Sequence, residues 1–212
     1  MDQSFAWAET VYWAAVGTLV VLFAILFGLQ IFDKRVISGE SIWTKPLKFH
    51  LALAVHFATL ALATSTLSQS YRASSLLLSV AIAAVASAGF ELVYMTVQAA
   101  RVQKSHFNLS TPFYAMMYTL MAVGAVLITA AAGVVGLAVW LEKASSVGSV
   151  LRTAIALGLI GGTFLTLIVA FRMGAALSHH VGLEDSNAAR VPFFGWSRTV
   201  GTFECPTSWP LT

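Results

Sequence analysis

The sequence predicts an all-α fold, a polytopic bundle of transmembrane helices. Of its 212 residues, 58% are hydrophobic and only 10% charged, where ordinary soluble domains carry about 25% charged residues. The apolar residues gather in five runs, each matching the roughly 20 residues that cross about 30 Å of hydrocarbon at 1.5 Å per helical residue. These runs are unbroken rather than alternating, and two to three times the ~10 residues of a barrel strand, which excludes a β-barrel. A disordered chain, a disulfide scaffold and a nucleic-acid-binding protein are excluded as well, since the single cysteine, Cys205, cannot form an internal disulfide and the formal charge is only +3.

The runs fall at about 9–32, 47–68, 74–100, 112–141 and 150–178. The first follows a start containing Asp2 and Glu9 but no base and no small-residue cleavage site. It is too long for a signal core and is expected to be retained. The second begins just after Lys45 and has Lys48 near its start. The fourth opens on Thr111-Pro112, an N-cap followed by a proline at the first turn. It also carries the small residues Ala130 to Gly133 and Gly136, and the fifth carries Gly158 and Gly162 in a GxxxG. Close backbone packing of these two helices is expected. No internal repeat is visible, so an inverted-repeat transporter is not indicated. Residues 1–201 read as a single transmembrane helical domain.

Orientation follows from the basic residues, which concentrate in cytoplasmic loops. Lys34, Arg35, Lys45, Lys48, Arg101, Lys104, Arg172, Arg190 and Arg198 fall on one side, and only Arg72, Lys143 and Arg152 on the other. The N-terminus is therefore expected outside and the C-terminal segment in the cytoplasm. Trp7, Trp13 and Trp140 would then lie at the outer interface, and Trp43 and Trp196 near the inner one.

Polar groups within the spans crowd toward the side read as cytoplasmic, including His50, His56, His106, His179 and His180. On the third span, with Glu91 at zero and 100° per residue, Tyr94 falls at about 300°, Gln98 at about 340° and Arg101 at about 280°. This is one polar stripe, with Glu91 ~15 Å in from Arg101. An ionised carboxylate there is costly and calls for a partner or a wet cavity. On the second span Lys48 and His56 lie about 80° apart while His50 is turned to the opposite side. His56 stands ~12 Å in from Lys48, close to the depth of Glu91. On the fifth span Arg172 and His179 share a face, and Arg172 is a candidate cation for Glu91.

These residues lead to three readings. In the first, the second, third and fifth spans enclose a cytoplasm-facing polar pocket built on His56, Glu91 and Arg172, with Tyr94, Gln98, Arg101 and His179 around it. Such a pocket would bind a small polar or anionic ligand or relay protons, as a transporter or sensor does. In the second, the chain is a membrane enzyme or redox protein with a metal or haem held by histidines of different helices, from His56, His106 and His179. In the third it is a structural accessory subunit whose polar groups serve only as interhelical hydrogen bonds. The sequence contains no HExxH, HxxxH, GxSxG, CxxC or phosphate loop, so the familiar metalloprotease, hydrolase, thiol-redox and NTPase readings lack support. His179 and His180 diverge by about 100° on a helix and cannot jointly chelate one ion there.

Three segments carry a likeness to known sequences: Trp43-x-Lys45-Pro46-x-Lys48-Phe49-His50, Gln98-x-x-Arg101-x-x-x-Ser105-His106-Phe107-Asn108, and Gly195-Trp196-Ser197-Arg198. The chain resembles an uncharacterised family of bacterial multi-pass inner-membrane proteins, over most of its length. The resemblance implies a bacterial inner (plasma) membrane location and brings no activity. It also bears on the C-terminus. After Gly201 the text Thr-Phe-Glu-Cys-Pro-Thr-Ser-Trp-Pro-Leu-Thr has neither an apolar run nor a charged tail. A one-base shift near Thr202 would restore an approach to a sixth span with two further histidines. Residues 202–212 are therefore expected to be out of frame and the chain truncated from a longer bundle, with no role for Cys205.

Overall fold

The structure is a computed structural model that describes residues 6–37, 39–142 and 146–176, and the backbone of 180–181 and 201–202. Helix α1 (Trp7–Phe32) is followed by a two-residue-per-strand hairpin, β1 (Val36–Ile37) and β2 (Glu40–Ser41). Gly39 takes the turn at φ +81, a conformation that costs glycine nothing. Then come α2 (Thr44–Ser65), the single turn α3 (Gln69–Arg72), α4 (Ser75–Ala100), α5 (Pro112–Leu141) and α6 (Ser149–Ala176). A second small ladder pairs β3 (His180–Val181) with β4 (Gly201–Thr202) antiparallel. The five spans of the sequence are thus α1, α2, α4, α5 and α6, each long and apolar enough to cross a membrane.

Boundaries follow local chemistry. α5 starts at the expected proline, and the Thr111 hydroxyl accepts from the Tyr114 N–H at 3.2 Å. α2 starts three residues earlier than the apolar run suggests, because Pro46 sits in the first turn, where its missing N–H has no intrahelical role. Lys45 and Lys48 are consequently helical. α4 ends in a Schellman motif in which Gln103 N–H donates to Gln98 O and Val102 N–H donates to Ala99 O, both at 2.9 Å. The position usually given to glycine is occupied by Val102 at φ 56.

α1 packs on α2 and α4, α5 packs on α4 and α2, and α6 packs on α5. Ala81, Ala84 and Ala88 of α4 are fully or almost fully buried between Phe57, Leu60 and Ala61 of α2 and Ala131, Ala132 and Val135 of α5. Methyl-sized side chains let these backbones approach closely, the usual basis of helix association in lipid. Tyr12 of α1 stacks on Phe57, ring centroids 5.9 Å apart.

The α5–α6 seam uses small residues differently from the sequence expectation. A Cβ on Gly136 would stand 2.8 Å from Leu159 Cβ, and one on Gly133 would stand 3.1 Å from Thr163 Cγ2. Gly158 and Gly162 instead face open space. The GxxxG lies on the wrong side: α6 docks through Ala156, Leu159 and Thr163, and Gly158 stands about 200° around the helix from Ala156. Ala156 is the one buried residue of α6 among those described. The outward faces are apolar, with Val20, Val21, Leu62, Val93, Phe164 and Leu165 among the exposed side chains. A continuous apolar exterior of this kind suits acyl chains rather than water.

Candidate functional site

The α4 stripe runs from the bundle interior to its surface. Glu91 is 4% exposed and Gln98 1%, Tyr94 is half-buried and Arg101, the C-cap residue, is exposed. Gln98 Nε2 donates to the Tyr94 hydroxyl at 3.1 Å, the (i, i+4) neighbour pairing that a helix provides.

Glu91 is the exception on this stripe. Its Oε1 is fully buried and has no hydrogen-bond partner among the described residues. The carboxyl group lies against the backbone of α5 because residue 124 has no side chain: a Cβ on Gly124 would stand 2.7 Å from Glu91 Oε1 and 3.5 Å from Ser87 Cβ. Gly124 thus makes the space that the acid fills.

His56 reaches the same face of α5 from α2. Its Nε2–H donates to the Ile128 carbonyl at 3.3 Å, and a carbonyl can only accept, so that nitrogen carries the proton. Gly124 and Ile128 are one turn apart, about 6 Å along the helix. His56 and Glu91 therefore touch α5 one turn apart, and no ion pair joins them among the described residues.

The third wall of this cluster is α5, not the fifth span. The short connection after Leu141 returns α6 antiparallel along the outer face of α5, as short loops do between neighbouring helices. Arg172 is exposed on α6 and makes no ion pair with Glu91 among the described residues. His179 lies outside the described residues. His106 sits in the 101–111 loop, where Nδ1 is 3.0 Å from the Ser105 hydroxyl and the ring is 5.9 Å from that of Phe49. Lys45 Nζ lies over the Phe49 ring, 5.8 Å from its centroid. Among the described residues no three His, Cys, Asp or Glu side chains gather into a metal-binding group.

Sequence reasoning missed two features near this end of the bundle. His50 is 2% exposed and its Nδ1–H donates to Pro46 O at 2.8 Å. Asp33 accepts from the Arg35 side chain and from Trp43 Nε1 at 3.0 Å, while Arg35 Nη1 donates to Ala100 O at 2.7 Å. The Arg35 hydrogen bonds, helped by Trp43, hold the Asp33 carboxyl well below the usual carboxylate range, and Asp33 in turn holds the guanidinium above its own. This cluster joins the end of α1 to the starts of α2 and the last carbonyl of α4. Only the proximity of Asp33 and Arg35 in sequence signalled it.

No family model, curated protein or solved structure matches the chain.

Proposed function

We propose that the chain is a multi-pass protein of the bacterial inner membrane, with its N-terminus outside and its C-terminal segment in the cytoplasm. In this reading it works as a transporter or sensor that takes up and passes on protons at Glu91. The likeness to an inner-membrane family belongs to the same proposal. The observation that carries it is the buried Oε1 of Glu91, without a hydrogen-bond partner among the described residues, set against α5 one turn from where His56 meets that helix.

An unpaired carboxylate in apolar surroundings costs several kcal/mol, and a proton delivered to it removes that cost. Among the described residues no cation pairs with Glu91, so a proton or a small polar ligand suits the site better than an anion. His56 supports a relay for a related reason. With Nε2–H on the Ile128 carbonyl, Nδ1 of the neutral ring keeps a lone pair that can receive a proton. Gln98, Tyr94 and Arg101 then extend hydrogen-bonding groups toward the cytoplasmic end of α4. Intramembrane ionisable groups of this kind commonly mark proton pathways.

The test is proton flux in liposomes containing the full chain, read with an entrapped pH dye. Glu91→Gln keeps the shape and removes the titrating group, and is expected to reduce flux at least about tenfold while folding is retained. His56→Gln is expected to slow flux to a lesser degree. Equal flux from wild type and Glu91→Gln overturns the proposal.

A further inference from the structure

On the opposite side of α4 from Glu91 lies a second feature, a cavity of about 580 Å³ between α1, α2 and α4. It is bordered on α1 from Val11 to Leu26, a length of about 22 Å at helical rise. That length suits an extended hydrocarbon chain rather than a compact ligand. Its walls are apolar, with Leu22 and Val85 typical. Among the described residues its polar side chains are Thr18, Thr96 and His50, and the Thr18 hydroxyl already donates to Ala14 O at 2.9 Å.

His50 decides the chemistry. Its Nδ1 faces the Pro46 carbonyl at 2.8 Å, which can only accept, so Nδ1 carries the proton and Nε2 of the neutral ring is a lone-pair acceptor. Among the described residues Nδ1 is the ring nitrogen of His50 that is hydrogen-bonded, and the residue is 2% exposed. Fixing one ring nitrogen on a backbone carbonyl sets what the other can bind. Ester, ether, ketone and carboxylate heads offer only acceptors and meet a lone pair. A hydroxyl head offers the donor that is missing.

We propose that the groove between α1, α2 and α4 binds a long-chain lipid with a hydroxyl head, the hydroxyl donating to Nε2 of His50. The tail runs along α1 toward Val11, and the head lies about 9 Å in from the start of α2. This site is separate from the Glu91 cluster and does not depend on it.

The experiment places the full chain in phosphatidylcholine nanodiscs, whose lipid has no hydroxyl donor, and adds a photoactivatable hexadecanol. Labelled peptides are expected from α1 and α4, and unlabelled hexadecanol is expected to compete about tenfold better than hexadecyl methyl ether, which has the same tail and no donor. His50→Phe should abolish that preference while leaving weak tail binding. Gly89→Leu provides a second variant: residue 89 lines the groove, and a side chain there meets open space, so the variant folds and blocks the tail. Its labelling is expected to disappear. The proposal is overturned if the ether competes as well as the alcohol on the wild type, or if labelling survives Gly89→Leu.

Discussion

Asp33 and Glu91 are acids of one chain in opposite circumstances. Asp33, at the end of α1, accepts from Arg35 and Trp43 and is tied through Arg35 to the last carbonyl of α4. Glu91, within α4, is more deeply buried and has one oxygen without a hydrogen-bond partner among the described residues. The other end of the bundle repeats the first pattern: Glu9 accepts from Arg72 Nη2, and Glu142 accepts from the Ser68 hydroxyl. Where an acid serves the architecture, the fold brings a donor to it. Where the fold brings none and even removes a side chain to make room, a structural role does not account for the acid.

The strongest way to break this comparison is to fill the space that Gly124 leaves. Gly124→Ala places a methyl 2.7 Å from Glu91 Oε1, so the carboxyl or the α4–α5 seam must shift. The expected cost is about 1 kcal/mol, the low end for overpacking an interior, since the clash falls on the end of one side chain and alanine regains about 0.5–1 kcal/mol over glycine within a helix; thermal unfolding in detergent measures it. Adding Glu91→Ala should restore most of it, because the clash partner is gone. If Gly124→Ala is equally costly with and without the Glu91 side chain, the two are not coupled and the fit between them is incidental.

How much of this was legible in the sequence varies by scale. The five long helices were, because unbroken apolar runs are strong local signals, and so was the Thr111-Pro112 start of α5. The interior face of α4 was also readable, since Glu91 and Gln98 share one stripe by helical period alone and both are buried. What periodicity cannot supply is the neighbour. The choice of α5 over α6 as the third wall depends on how antiparallel helices return along each other, and Arg172 accordingly lies on an outer helix. The open face of Gly158 and Gly162 has the same origin: small residues permit close packing without stating which helix will use it. Helical period sets His50 on the side of α2 opposite Lys48, but the cavity it borders exists only where three helices pack. Gly124 carried no signal of its own, because a glycine within an apolar run looks the same wherever it faces.

A second prediction sharpens the paired side of the comparison through pH. Arg35 and Trp43 hold the folded Asp33 carboxyl below its ordinary range, so its stabilising effect is complete above that range. It is lost as pH falls through the ordinary carboxylate value, about 3.9, and on toward the depressed folded value. Thermal unfolding of wild type and Asp33→Asn should therefore differ most near neutral pH and converge on acidification. A gap between the two that is constant with pH would mean that the carboxylate charge contributes nothing at this joint.

The smallest effect concerns the loop that leaves α4 from the end Arg35 caps. Val102 takes the left-handed position of the Schellman motif at φ 56, which costs a residue with a Cβ roughly 1–2 kcal/mol and a β-branched one no less. Glycine removes that strain but gives back about 0.5–1 kcal/mol through the freedom it gains when unfolded. Val102→Gly is thus expected to raise stability by roughly 0.5–1 kcal/mol, seen as a small upward shift of the unfolding midpoint. Val102→Ala separates the causes, since it removes the branch and keeps the Cβ, and should recover only a part of the gain. If glycine lowers the midpoint instead, the half-exposed valine side chain contributes packing that outweighs its strain. The 101–111 loop would then be held by apolar contact as well as by the hydrogen bonds that close α4.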